Sequence, residues 1–408
     1  MKKKVNIYNL NYNTEQYTIR FKMGLKSGFN QFLRDICPNV FETIHISEYA
    51  YKKVAIDISL YLHKFKAVYG DRWISAFILL IASLRRNEVH CVFIFDGKSP
   101  PEKNGEREKR RNDREKLEKQ LYELEEAFEE YHKTNVVAKC LIDLYSKRRS
   151  PQKRLLGRNN NEVIDMNWIK NKIEHRRTQL YSISSEDFEV ARELFNILNV
   201  PFYTAPWEAE KMCSKLCLDG KVDAVLSEDT DVVAYATPFF LTKIDTANDI
   251  CVRISHQTLL EGLELDPNQL LDLCIMCGTD YNPNIPRVGS KTAYKKIIEY
   301  GGIEQIANET SLDVSVLNYT RVRELFKIFE NYNLEIIPYC GIPDFEKLEK
   351  FIIKHGVHID INKLRKDFTH KEFVFEESDE EINSQESDEE INSQESDEEI
   401  NSQESDEE

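Results

Sequence analysis

Apolar positions along the chain fall into two rhythms. Lys53-Val-Ala-Ile-Asp57 and His90-Cys-Val-Phe-Ile-Phe-Asp96 are short, nearly unbroken apolar runs of the kind a buried strand produces, and Trp73 to Arg86 between them is long enough for a helix. After Ser184 the grammar repeats, with a helix to Leu198, a strand from Val200 to Thr204, a helix from Pro206 and a strand from Val222 to Leu226. Helices alone are expected from there to about residue 370. Strands alternating with helices imply a parallel sheet, so the predicted class is α/β. Between residues 102 and 135, Leu117, Leu121, Leu124 and Phe128 recur at helical spacing in a charge-dense stretch, which predicts one long amphipathic helix. The segment from Ser146 to Arg158 carries Lys147, Arg148, Arg149, Lys153, Arg154 and Arg158 and reads as an exposed basic loop, with nuclear targeting, DNA-backbone contact and plain solvation all open.

Charge alters this picture at one end. A net charge of −16 is wrong for a chain that meets a polyanion, but Glu376 to Glu408 holds 17 Asp and Glu and no Lys or Arg, leaving 55 basic residues against 54 acidic ones elsewhere. In this tail Ser-Asp-Glu-Glu-Ile-Asn-Ser-Gln-Glu repeats every nine residues from Ser378, Ser387 and Ser396. Low hydrophobicity and high like charge cannot offset the entropy of ordering, so the tail is expected to be a disordered, solubilising one. The nine cysteines form no paired framework and no leader pattern opens the chain, which suggests reducing conditions. The longest apolar stretch, Trp73 to Leu84, is shorter than the roughly 18 residues a membrane span needs, so no membrane partner is expected. Cys274-x-x-Cys277 has no second pair at zinc spacing and is expected to be core packing.

The acids carry the chemistry. Asp57, Asp96 and the pair Asp229 and Asp231 follow three apolar strands, and in a parallel sheet those carboxyl ends share one edge, where ligands bind. Glu208 and Glu210 fall in the first turn of the helix after Pro206, and Asp280 in Cys-Gly-Thr-Asp-Tyr is a seventh candidate. Singly, each is ordinary, since Asp often follows strands and Glu favours first turns. Seven carboxylates in one cleft, however, demand cations, and oxygen ligands without His or Cys select Mg²⁺, with Mn²⁺ as a substitute. Two such ions about 4 Å apart suit phosphoryl chemistry.

Met23-Gly-Leu, Ala55-Ile-Asp57, Phe95-Asp96-Gly-Lys98-Ser-Pro-Pro, Ala205-Pro-Trp-Glu208-Ala-Glu210, Ser227-Glu-Asp229-Thr-Asp231 and Cys274-Ile-Met-Cys-Gly278-Thr-Asp280-Tyr, in this order, resemble the XPG/flap endonuclease family over about residues 23 to 365. The resemblance implies a mostly parallel central sheet with flanking helices, a helical arch and a C-terminal helix-two-turn-helix that binds duplex. It implies a two-metal 5′ nuclease, with Asp57, Asp96, Glu208 and Glu210 favouring one ion and Asp229, Asp231 and Asp280 the other. Lys103 and Arg110 would hold the scissile phosphate as catalytic cations. His63 would contact DNA where flap endonucleases carry a tyrosine. Gly289, Ser290 and Lys291 would aim a helix N-terminus at a duplex phosphate. Arg287 stands where the family usually has the first glycine of that turn. The implied function is a 5′ flap endonuclease with 5′→3′ exonuclease activity in replication, repair or recombination. The alternatives are a bubble-cutting or resolvase-like branch and an inactive DNA-binding scaffold.

The expected organisation is an N-terminal extension over 1–22, a nuclease region with the start of the arch over 23–135, and a partly disordered arch insertion over 136–183. An internal nuclease region over 184–282, the duplex-binding helices over 283–370 and the acidic tail over 376–408 complete it. Because the Met-Gly start of the family packs close to the active site, the extension is expected to be absent from the working protein or turned away from the cleft. The expected partner is branched or nicked DNA, bound by a monomer in the nucleus or at a viral replication site, and no clear sliding-clamp motif is present.

Overall fold

The computed structural model describes residues 25–26, 28–147, 164–327, 329 and 334–368. The expected extension over 1–22, the tail and most of the basic loop lie outside them.

In chain order the elements are α1 (Phe29–Ile36), β1 (Glu42–His45), β2 (Lys53–Asp57), α2 (Ile58–Tyr69), α3 (Trp73–Arg86), β3 (His90–Phe95), α4 (Asn104–Thr134) and α5 (Lys139–Ser146). Next come α6 (Met166–Thr178), α7 (Ser185–Ile197), β4 (Phe202–Thr204), α8 (Ala209–Leu218), β5 (Ala224–Leu226), β6 (Phe239–Asp245) and β7 (Ile250–Ser255). Eight of the helices are thus followed by α9 (His256–Leu263), α10 (Pro267–Cys277), α11 (Ser290–Tyr300), α12 (Ile303–Glu309), α13 (Tyr319–Lys327), α14 (Phe345–Lys354) and α15 (Ile361–Phe368).

The strands form one sheet in the order β1-β7-β6-β5-β2-β3-β4. Pairing is parallel from β6 through β5, β2 and β3 to β4, and antiparallel where β7 joins β6 and β1. The sheet is therefore mostly parallel, as expected. The expectation of helices alone beyond Leu226 is wrong at 239–255, where β6 and β7 make a hairpin, and β1 was not foreseen.

Successive side chains of a strand face opposite ways, and here each face meets its own core. Ala55, Val92, Ile94 and Val225 pack beneath α1 and α8 to α13. Val54, Ile56, Phe93, Phe95 and Leu226 pack against α2, α3, α7, α14 and α15, with Phe93 stacked on Phe195 at 4.1 Å. Burial on both faces explains why β2 and β3 read as continuous apolar runs. Residues 58–86 together are long and apolar enough to cross a membrane by length and composition, but they are broken at Gly70–Arg72 and α3 is largely buried in this second core. Cys274 and Cys277 are fully buried in α10, in line with a packing role.

Charge and apolar contact both fix the remaining helices. Arg323 of α13 holds Asp272 of α10 at 2.6 and 2.7 Å and Glu304 of α12 at 2.8 Å, tying these three helices together. The long helix α4 has a separate small core: Leu121, Leu124 and Ala127 pack with Leu141, Leu144 and Tyr145 of α5 and Ile169 and Ile173 of α6. Within residues 136–183, α5 and α6 thus fold back on α4.

Candidate active site

Most of the acidic residues follow strand ends, and backbone hydrogen bonds hold Asp57, Asp96 and Asp229. Asp57 closes β2 and caps α2, accepting from Ser59 N at 2.8 Å. Asp96 follows β3 and its Oδ1 accepts from Ala209 N at 2.8 Å, so a carboxylate from one strand end caps the helix that follows another. Glu208 is the N-cap residue of α8, one position before the helix expected to include it, and Glu210 lies in the first turn. Asp229 caps the short helical turn Thr230–Val233 by accepting from Asp231 N at 2.9 Å. Asp280 follows α10, its N–H 3.5 Å from Asp231 Oδ2.

The loops bearing these acids are packed backbone to backbone. Gly97 N–H donates to Trp207 O at 2.6 Å, and a Cβ on Gly97 would stand 2.0 Å from Ala205 O, so only glycine permits Asp96 and Glu208 to approach. Leu25 N–H donates to Thr230 Oγ1 at 2.9 Å, and Lys26 N–H to Gly278 O at 2.9 Å. The Lys26 ammonium reaches Glu106 at 2.9 Å. Met23 itself lies outside the described residues, but the chain just after it is stitched to the loops that carry Asp229, Asp231 and Asp280.

Six of the seven carboxylates are buried, from 1% to 8% exposed, and Asp96 is exposed. Burial first, then the charge of Asp96, pushes Asp57 well above the usual carboxylate range. Burial and then Asp229 do the same to Glu210 and Asp231. Asp229 is raised to about 6 by burial and then by Asp280. Such neighbours titrate as a group rather than singly.

Two cations stand among them. Lys103 Nζ lies 2.5 Å from Glu208 Oε1, 3.2 Å from Asp280 Oδ2 and 3.9 Å from Glu210 Oε1. Burial alone would depress the Lys103 pKa, but Glu210, Glu208 and Asp280 together outweigh it and raise it. Arg110 grips both oxygens of Asp280 at 2.8 and 2.9 Å, and Asp280 and Glu106 likewise overcome burial to raise its pKa. Both residues expected to face a phosphate thus face carboxylates here.

The donor set is all oxygen, and Asp231 Oδ1 is buried without a hydrogen-bond partner. Two cations against seven carboxylates leave negative charge uncompensated, so the residues fit hard divalent ions. In this arrangement no three His, Cys, Asp or Glu among the described residues are already drawn around one point as an ion would require.

Of the expected DNA contacts, His63 lies within the electrostatic reach of Asp96 and Arg110, whereas Gly289, Ser290 and Lys291 are at the start of α11. His63 is on the solvent-exposed face of α2, yet crowding by protein and then the Arg110 charge lower its pKa. Gly289 is the exposed N-cap residue of α11, with open space where a Cβ would stand. Ser290 is buried, while the largely exposed Lys291 reaches Asp35 of α1 at 2.7 Å. Arg287 adopts φ 66°, a conformation that favours glycine. Tyr281, whose hydroxyl donates to Glu208 Oε2, is not among the residues expected from the sequence, and its only signal there is adjacency to Asp280.

The chain is also similar to known proteins. The XPG N-terminal domain matches residues 23–117 and the XPG I-region matches 199–280. A probable RAD2-like endonuclease 076L of Invertebrate iridescent virus 3 is 34% identical over 332 residues, covering 75% of this chain and 86% of its own. The probable RAD2-like endonuclease 369L of Invertebrate iridescent virus 6 is 30% identical over 383 residues, covering 85% and 92%. Among solved structures, the catalytic core of Rad2 in complex with DNA substrate has a TM-score of 0.54 at 16% identity, covering 82% of this chain and 96% of that one, a likeness of fold.

Proposed function

The chain belongs to the XPG family, together with the viral RAD2-like endonucleases, and on that premise we propose that it is a structure-specific 5′ nuclease that hydrolyses DNA phosphodiester bonds at flaps and frayed ends. The observation that carries the reading is the gathering of seven carboxylates, most of them at strand ends, against the half-buried Lys103 and the exposed Arg110.

Asp57, Asp96, Glu208 and Glu210 would hold one divalent ion and Asp229, Asp231 and Asp280 a second. When bound, such a pair supplies an activated water and stabilises charge on the attacking and leaving oxygens. The chain's own residues do the rest. Lys103 and Arg110 are the cations placed to hold the scissile phosphate and the charge that develops on it. The exposed N-terminus of α11 at Gly289, with Lys291, anchors a duplex phosphate away from the cleft and so sets where along the strand the cleft falls. His63, at the mouth, contacts the strand that enters. The small bundle of α4, α5 and α6 supports a second reading, in which a bubble or junction is gripped rather than a flap threaded.

Cleavage of 5′-labelled flap, nicked, bubble and blunt duplex DNA with Mg²⁺, in the wild type and in Asp229→Ala, tests this. Cutting at the flap junction that the substitution abolishes is expected. Preference for the bubble moves the assignment to the second reading, and binding without cutting on every substrate leaves only a DNA-binding scaffold.

A further inference from the structure

The two oxygens of Glu208 have different partners. Oε1 takes the Lys103 ammonium at 2.5 Å, and Oε2 accepts from the Tyr281 hydroxyl. The Tyr281 hydroxyl oxygen in turn lies 2.6 Å from that of Tyr235. A phenol has one proton to donate and an ionised carboxylate has none. If the Tyr281 proton goes to Glu208, the bond between the phenols is made only by Tyr235 donating to Tyr281. The result is a directed chain of hydrogen bonds, Tyr235 to Tyr281 to Glu208.

This chain is built into the core. Tyr235 is 1% exposed, Glu208 5% and Tyr281 8%. Phe326 of α13 packs nearly edge-on against both phenols, with ring centroids 4.8 Å from Tyr235 and 5.1 Å from Tyr281. Tyr235 comes just after the helical turn that Asp229 caps, and Tyr281 directly follows Asp280, so the two phenols link three of the acid-bearing segments. Deprived of the Tyr281 hydroxyl, Oε2 would be a buried acceptor with no donor in this arrangement, and the carboxylate would turn to find one. The nearest cation is Lys103.

We propose that Tyr281 is a positioning residue for Glu208, and Tyr235 for Tyr281, so that Oε2 is held inward and Oε1 faces the cleft. The role rests on the reading of Glu208 as a ligand of a divalent ion, and it is the part that partners of metal ligands play elsewhere: they fix the orientation of the ligand and its basicity. Polarisation along the chain makes the second phenol felt at the carboxylate.

Tyr→Phe keeps ring and volume, so it separates orientation from packing. The full chain and its Tyr281→Phe, Tyr235→Phe and doubly substituted forms are titrated with Mn²⁺, followed by electron paramagnetic resonance without DNA. Thermal melting and the Mg²⁺ concentration for half-maximal flap cleavage are measured alongside. Tyr281→Phe is expected to weaken Mn²⁺ binding and raise the half-saturating Mg²⁺ about 10- to 100-fold with little change in melting. Tyr235→Phe shifts both in the same direction by less, and the double substitution is no worse than Tyr281→Phe alone, because Tyr235 acts through Tyr281. Unchanged Mn²⁺ affinity in Tyr281→Phe, or an additive double variant, overturns the proposal. If Tyr281→Phe does not fold, Tyr235→Phe decides, and wild-type Mn²⁺ affinity there overturns it. A wild type that neither binds Mn²⁺ nor cuts DNA removes the nuclease reading itself, a result distinct from either.

Discussion

At the scale of single residues, the acids that make the site are also where the protein without bound ions is least at ease. Asp229 is raised from 3.8 to about 6 by burial and then by Asp280, so between those values the folded chain holds a proton that the unfolded chain has released. The stability this contributes is complete below about pH 4 and is lost as pH rises through 6. Without divalent ions, Asp229→Asn should therefore melt several degrees higher than wild type at pH 7.5, while the two converge near pH 4. The amide retains an oxygen to accept from Asp231 N, so the local turn survives. Calorimetry across pH checks this; an Asn variant that melts lower at pH 7.5 would mean that Asp229 is already compensated. Six of the seven acids were legible in the sequence because each follows a strand or opens a helix, and Asp280, which follows α10, through its place in Cys-Gly-Thr-Asp-Tyr. Their partners were not: Lys103 meets Glu208 across 105 positions and Tyr281 meets it across 73, and such pairings exist only once the sheet has brought distant loops together.

At the scale of elements, legibility followed burial. β2 and β3 are covered on both faces and announced themselves as apolar runs, whereas β1 exposes Glu42, Thr43 and His45, and β7 beside it is only half-buried at Ile250, Val252, Arg253 and Ser255. Their alternation is short and easily taken for helix ends. The missed hairpin did carry a turn signal: between β6 and β7, Asp245 Oδ1 accepts from Ala247 N at 2.9 Å and Asp249 takes φ 55°. The arch bundle makes a sharper prediction, because its core is separate from the two that flank the sheet. Leu141 is completely buried there, and Leu141→Ala should cost about 2–5 kcal/mol. Spent within the bundle, that loss should open α5 and α6 to hydrogen exchange while β2 and β3 keep their protection. Uniformly faster exchange across the sheet would show instead that arch and sheet unfold as one unit. Flap cutting should fall in this variant more than cutting of nicked duplex, if the arch acts on the single strand.

For the whole molecule the main question is how a chain of net charge −16 approaches DNA. The answer lies in where that charge resides: without residues 376–408 the basic and acidic residues stand at 55 to 54. Lys291 and Lys103 each lie against a carboxylate in the DNA-free protein. The tail's like charge then sets the encounter with a polyanion through long-range repulsion, which salt screens over about 8 to 10 Å at physiological ionic strength. Removing residues 376–408 should tighten flap binding several-fold at roughly 50 mM salt and leave it unchanged at roughly 300 mM, with the rate of cutting at saturation unaltered. Fluorescence anisotropy of a labelled flap across a salt series, in Ca²⁺ to prevent cutting, measures this. A gain that survives high salt would point to a specific contact made by the tail rather than to its charge, and a loss of affinity would mean that the acidic repeat assists DNA binding instead of opposing it.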